Sequence, residues 1–196
     1  ETFTPEVLAA VRRTGQKTKM VQSAIETARN VGINEINIDL LAGLPRETVS
    51  SFASSVELAL ELDIDSMSVN RYIAENAPLS AAGHVPDVEE RMSCDEMLMV
   101  ADRLVREKKP ATRPSEPLQK AGYGTQYVWD TRANARSYFQ QDMIGPGSTL
   151  ALGHGAMGHL HGGGFYTSAA SLTDYIESLE RGELAEVLLS PVSMRF

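Results

Sequence analysis

The stretch Ile36–Thr48, INIDLLAGLPRET, decides how the rest of this 196-residue chain is read. Ile36, Ile38 and Leu40 alternate with Asn37, Asp39 and Leu41, and two of the three are β-branched, which predicts a strand. Ala42-Gly43-Leu44-Pro45 ends it, because Gly permits positive φ and Pro has no N–H for a ladder. Thr48 suits the N-cap of a following helix, with Phe52, Val56, Ala59 and Leu60 on one side. Asp39 is the odd residue. A carboxylate inside an apolar strand must be paired or meet a ligand. At this end of a strand it is placed to accept from a ribose hydroxyl, while capping a neighbouring helix or pairing with an Arg fits the spacing equally well. Gly43-Leu44-Pro45, taken alone, is an ordinary strand-to-helix turn.

Toward the N-terminus, Thr4-Pro5-Glu6 opens a helix with Val7, Leu8 and Val11 on one face, Arg12 and Arg13 in its last turn and Gly15 at its end. Met20, Val21, Ala24, Ile25, Ala28 and Val31 recur at helical spacing up to Gly32. Toward the C-terminus, Asp63 and Asp65 frame a short loop before a second strand, Met67–Ile73. Helix–helix–strand–helix–strand is the order of an α/β fold with a parallel sheet. Ligands collect at the C-terminal ends of such strands, so Asp39–Pro45 and Asn70–Asn76 matter most. Residues 74–86 read as loop. A long helix is predicted over Asp87–Lys108, with Met97, Val100, Ala101, Leu104 and Val105 inward. Pro110, Pro114 and Pro117 interrupt the chain, a short helix ends near Leu118–Gly122, and Tyr123–Asp130 reads as a strand. The Gly-rich run 143–164 predicts one strand at Ser148–Leu152, and Gly164–Ser168 another. Ser171 caps a last helix carrying Leu172, Tyr175, Ile176 and Leu179 on one face, closed by Gly182.

Composition narrows the function classes. The net charge of −8 argues against nucleic acid as a partner, which needs clustered Lys and Arg. No apolar run approaches the ~20 residues of a membrane span. One cysteine, Cys94, rules out an intrachain disulfide and points to a reducing, cytoplasmic setting. It also rules out an iron–sulfur cluster held by this chain alone, since that takes three or four thiolates. The chain begins Glu1-Thr-Phe-Thr-Pro, with no signal-peptide pattern and no Met, which predicts that a segment normally precedes it.

Three further groups could carry chemistry. His154, His159 and His161 invite a zinc reading, yet no carboxylate or thiol lies nearby in the sequence, and loop histidines are the simpler account. Gly153-His-Gly155-Ala-Met-Gly158 has the letters of a dinucleotide loop, but Gly162–Gly164 would break the helix that such a loop needs. Cys94 has Asp95 and Glu96 beside it, and neighbouring acids disfavour a thiolate, so a buried, inert thiol is expected.

Several of these stretches fall into one family pattern. Glu1–Leu8, Ala24–Gly32, Ile36–Thr48, Asp142–Met157 and Leu172–Gly182 together resemble the HemN-like branch of the radical S-adenosylmethionine (SAM) enzymes. That branch includes oxygen-independent coproporphyrinogen III oxidases, a haem chaperone, haem-degrading enzymes and class C radical SAM methyltransferases. The resemblance implies the last part of a partial (β/α)6 barrel over residues 1–85 and a following α+β extension over 86–196. It implies SAM as cofactor, and a [4Fe–4S] cluster bound by a Cys-x3-Cys-x2-Cys segment upstream of this chain. Glu1 falls where the family usually has a Gln contacting SAM. Arg13 falls at an Arg for the SAM carboxylate, Asp39 at an acid for its ribose, and Tyr72 and Ile73 near its adenine. Leu41 belongs to the same strand, and Met157 to a turn near a second SAM that members of the branch often bind. Without the cluster cysteines, the chain alone is expected to be inactive.

Within the branch, the chaperone's His-Asn-x-x-Tyr-Trp stretch corresponds to Ala133-Asn-Ala-Arg-Ser-Tyr-Phe139, with Ala replacing the His, which argues against haem transfer. Arg71, Arg132 and Arg136 are available to hold propionates. The expectation is radical methyl transfer on a small biosynthetic intermediate, with coproporphyrinogen oxidation as the second reading and a non-catalytic binding module or truncated fragment as the third. Open strand edges predict pairing with the missing N-terminal half or self-association.

Overall fold

The computed structural model describes residues 1–72, 88–114, 124–129, 147–161, 164–168, 171–183 and 188–190. They form two compact units, Glu1–Ala135 and Arg136–Phe196. In the first unit α1 (Pro5–Ala10) and α2 (Thr18–Asn30) precede β1 (Asn37–Ala42), α3 (Val49–Glu61), β2 (Ser66–Arg71), α4 (Val88–Lys108), β3 (Arg113–Pro114) and β4 (Gly124–Val128). The sheet order is β1-β2-β4-β3. β1 and β2 are parallel, in register from Asn37 with Ser66 to Ala42 with Arg71, as a β–α–β crossover requires. The parallel pattern stops there: β4 runs antiparallel to β2, and β3 antiparallel to β4.

α3 forms where the sequence places it. Thr48 Oγ1 accepts from the Ser51 N–H at 3.1 Å, and Ser51 Oγ accepts from the Thr48 N–H at 2.9 Å, a reciprocal cap. Phe52, Val56, Ala59 and Leu60 then bury against Leu40, Ala42, Met67 and Val69 of the sheet and Met97, Ala101 and Val105 of α4. Each such large side chain contributes about 1.5–3 kcal/mol through removal from water, so this layer holds the unit together. The stripe on α2 is covered only in part: Ile25 is buried, but Met20 and Val31 are exposed.

α1 ends one turn earlier than the Gly15 stop implies. Val11 is its C-cap, and Arg12 adopts φ 58 just beyond it. The Arg12 N–H donates to Ala9 and the Arg13 N–H to Leu8, the paired bonds of a Schellman ending. α2 ends the same way with Gly32 (φ 89) in the left-handed position. Arg12 and Arg13 therefore lie beyond the last turn, because α1's carbonyls find those two N–H groups before the chain reaches Gly15. A second Arg is held left-handed at Arg46, φ 66. It follows Pro45 in a turn closed by the Glu47 N–H to the Leu44 carbonyl at 2.9 Å, the position that a type II turn reserves for Gly. Both positions cost an L-residue about 1 kcal/mol. Arg12→Gly and Arg46→Gly are each expected to stabilise the fold by up to about 1 kcal/mol, less the extra chain entropy that Gly brings, and urea denaturation midpoints would show it.

In the second unit β5 (Met157–Leu160), β6 (Gly164–Thr167) and β7 (Leu188–Ser190) form an antiparallel sheet, and α5 (Leu172–Glu180) lies between β6 and β7 in the chain. β6 and the capped α5 agree with the sequence; Ser171 Oγ accepts from Asp174, and Gly182 (φ 71) ends the helix. The strand expected at Ser148–Leu152 is reduced to one bridge, Thr149 with His159, and the regular strand comes later, at Met157–Leu160. Hydroxyls explain the shift: Tyr166 accepts from the Ala151 N–H at 2.9 Å and Tyr175 from the Gly153 N–H at 2.9 Å, so side chains replace a ladder there. Gly158 lies in β5 under the Tyr166 ring, where an added Cβ would sit 2.2 Å from Cζ, so its glycine serves packing. Leu172, Ile176 and Leu179 on α5 are largely exposed.

Candidate functional site

The two faces of the first sheet differ. Leu40 and Ala42 of β1 and Met67 and Val69 of β2 face the helices. Side chains alternate along a strand, so Asn37, Asp39 and Leu41 lie on the other face. Their register partners on β2 are Ser66, Ser68 and Asn70, and Gln126 of β4 stands opposite Ser68. This face is polar and partly closed: Ser66, Ser68 and Gln126 are buried, whereas Asp39 is exposed. Asn37 organises it, donating from Nδ2 to Asp39 Oδ1 at 2.7 Å and to Ser68 Oγ at 3.2 Å, and accepting at Oδ1 from Ser66 Oγ at 2.9 Å. Asp39 thus caps no helix among the described residues, and no ion pair there includes it.

The N-terminal segment closes the outer side of β1. The Leu41 N–H donates to the Glu1 carbonyl at 2.8 Å. Glu1 Oε1 pairs with Arg13 Nη2 at 2.9 Å. The Schellman ending of α1 delivers Arg13 to this place, and Gln16 Nε2 fixes the same turn by donating to the Thr2 carbonyl at 3.2 Å. Glu1, Arg13 and Leu41 are therefore joined by contacts beside β1, and Asp39 lies two residues before Leu41 on the same face of the strand. Tyr72 joins them from the neighbouring strand, its N–H donating to the Ala42 carbonyl at 2.9 Å. Ile73, Arg132, Arg136 and Ala133 lie outside the described residues. Met157 is exposed in β5 of the second unit.

Two residues hold the turn after β1. Gly43 (φ 88) is packed by Cys94, whose sulfur would lie 3.1 Å from an added Cβ. Cys94 is buried, as expected, and donates Sγ–H to the Ala42 carbonyl at 3.3 Å. Burial pushes its thiol pKa up, partly offset by Arg71. Glu47 is the residue that the sequence does not announce. Its Oε2 accepts from the Gly43 and Leu44 N–H groups at 3.1 and 3.3 Å, and its Oε1 from Thr2 Oγ1 at 3.1 Å. Burial pushes the Glu47 carboxyl up to about 7 against the lowering effect of those bonds. Its acid three positions after Leu44 was a local clue, but Thr2 is 45 residues away.

The full run of the chain has counterparts in known proteins. An oxygen-independent coproporphyrinogen III oxidase of Pseudomonas aeruginosa is 28% identical over 202 aligned residues, covering 93% of this chain and 40% of that protein. One from Helicobacter pylori strain J99 is 37% identical over 102 residues, covering 52% of this chain and 20% of that protein. The fold agrees with that of the Escherichia coli coproporphyrinogen III oxidase HemN, described as a radical SAM enzyme, at a TM-score of 0.57 and 18% identity, over 97% of this chain and 44% of that one. The chain is similar to HemN-like proteins over nearly its whole length. Its HemN-like relatives also include the haem chaperone HemW of Bacillus subtilis, 31% identical over 105 residues, covering 50% of this chain and 27% of HemW. No protein-family model matches. The chain spans well under half the length of these HemN-like relatives. No helix among the described residues is long and apolar enough to cross a membrane.

Proposed function

We propose that this chain supplies part of the SAM-binding barrel of a radical SAM enzyme of the coproporphyrinogen III oxidase type, working in a reducing cytoplasm. One observation carries the reading: similarity to proteins of that name continues through both units, over 93% of the chain in the Pseudomonas protein and 94% in a second, from Bradyrhizobium diazoefficiens. The methyl-transfer reading draws no support from these names, and oxidation of a porphyrinogen takes its place. Chaperone activity is disfavoured by Ala133 in place of the expected His.

The donor set fits SAM. A half-exposed guanidinium at Arg13 suits a carboxylate, and an exposed Asp39 on a polar sheet face suits ribose hydroxyls. The same chain does not fit the [4Fe–4S] cluster, because its one thiol is buried and bonded to the Ala42 carbonyl. When bound and reduced in such enzymes, SAM supplies a 5′-deoxyadenosyl radical that abstracts hydrogen. The part left to these residues is to hold the cofactor's polar ends and to keep the strand ends in place through the Cys94 and Glu47 contacts. Full-length protein, reduced and then given SAM, coproporphyrinogen III and a one-electron acceptor, is expected to release 5′-deoxyadenosine and CO2 and to form protoporphyrinogen. A methylated product instead would restore methyl transfer, and no 5′-deoxyadenosine at all would remove the radical SAM reading.

A further inference from the structure

Glu1 and Arg13 form the one ion pair among the described residues that joins the α1 turn to the strand-end segment. Arg13 is 54% exposed and Glu1 27%, so the pair lies at the surface of the site and is weak. The two partners are not held equally. Glu1 is anchored through its backbone by Leu41, and the next residue, Thr2, is buried between Ser55 and Glu47. Its backbone is fixed, so its carboxylate starts from one place. Arg13 has a long side chain in a turn and can re-aim. Any ligand that brings its own carboxylate to Arg13 must displace Glu1, whose anchored backbone keeps the displaced carboxylate beside β1.

We infer that Glu1 is an internal competitor for Arg13, lowering this protein's affinity for the carboxylate end of its cofactor and so acting as an affinity-setting residue. The inference rests on the SAM-binding reading above. It makes a chemical distinction: the penalty falls only on ligands with a carboxylate. S-adenosylhomocysteine has one; 5′-methylthioadenosine keeps the adenosine and lacks it.

The test is equilibrium binding of both compounds to the full-length protein, by calorimetry. Glu1→Gln keeps an acceptor for Arg13 but removes the charge. It is expected to tighten S-adenosylhomocysteine about fivefold, the scale of one exposed ion pair, and to leave 5′-methylthioadenosine unchanged. Arg13→Gln should bring S-adenosylhomocysteine down to the affinity of 5′-methylthioadenosine, and adding Glu1→Gln to it should change nothing more. If S-adenosylhomocysteine binds more tightly than 5′-methylthioadenosine but Glu1→Gln leaves or lowers its affinity, the competitor role is wrong and SAM binding stands. If neither compound binds the unaltered protein or Glu1→Gln, the SAM reading fails and the inference fails with it.

Discussion

Arg29→Ala is expected to cost about 3 kcal/mol of stability, the low end of what removing one member of a buried charge pair costs, because Asp65 keeps the Ile36 N–H. Asp65 is fully buried at the start of β2. Its Oδ2 accepts from Arg29 Nη2 at 2.7 Å and from the Ile36 N–H at 2.7 Å. Arg29 reaches further, with Nε on the Asp63 carboxylate at 3.2 Å, Nη2 on the Asp63 carbonyl at 2.9 Å, and Nη1 on the Ile33 and Asn34 carbonyls at 3.2 and 2.8 Å. One guanidinium thus ties the end of α2 to the loops that enter β1 and β2. Lys cannot reproduce that fork, so Arg29→Lys should recover only a small part of the loss. Asp65→Asn keeps an acceptor for Ile36 and removes the charge. The double variant Arg29→Ala with Asp65→Asn is therefore expected to be clearly less damaging than the two single losses added together. Denaturant titrations of all three, with ligand absent, check this. Additive losses would mean that the pair contributes little.

The same clamp shows what was legible in the sequence. Ile36–Thr48 could be read correctly because strand, turn, cap and helix face are all local patterns, and each agrees with the next. α4 was legible for a similar reason, its inward residues Met97, Ala101, Leu104 and Val105 falling at helical spacing and all buried. Asp63 and Asp65 looked like loop punctuation, since nothing nearby marks Arg29, 36 residues before Asp65, as their partner. The antiparallel return of β4 was hidden too. Strand propensity has no direction, and only pairing with β2, where an added Cβ on Gly124 would meet the Val69 carbonyl at 2.4 Å, decides it. In the Gly-rich part, apolar alternation at Ser148–Leu152 competes with tyrosine hydroxyls that capture its N–H groups, and the hydroxyls prevail.

The candidate site was legible in outline. Asp39 stood out because an acid in an apolar strand demands a reason, and the polar face of the sheet supplies its setting. Asn37, Ser66 and Ser68 carried no such flag, because small polar residues alternating with apolar ones also describe a solvent-facing strand. Arg13 was located by family resemblance rather than by pattern. Its placement depends on Arg12 accepting a left-handed φ, and no propensity rule would choose Arg for that position.

Glu47→Gln is expected to stabilise the first unit at alkaline pH and to leave it nearly unchanged in acid. Burial pushes the Glu47 carboxyl from its ordinary 4.5 up to about 7. A raised carboxyl pKa means that the folded state binds the proton more tightly than the unfolded chain does. The stabilising contribution is then fully present below about pH 4.5 and is lost as pH rises through about 7. Above that, the folded protein must hold a charged carboxylate in a partly buried place between Thr2 and the Gly43–Leu44 turn. A shift of this size corresponds to about 2–3 kcal/mol after allowance for its partial exposure. Gln keeps an acceptor oxygen for the two N–H groups and carries no charge at any pH, so the variant should lose most of the decline between pH 5 and pH 8.5. Guanidinium denaturation at those two pH values gives the comparison directly. Equal pH dependence in parent and variant would show that Glu47 is charged at neutral pH, with its three hydrogen bonds outweighing burial. The turn it holds carries Gly43 at the end of β1, so the same titration reaches the strand end where Asp39 and Arg13 meet the cofactor in the proposed reading.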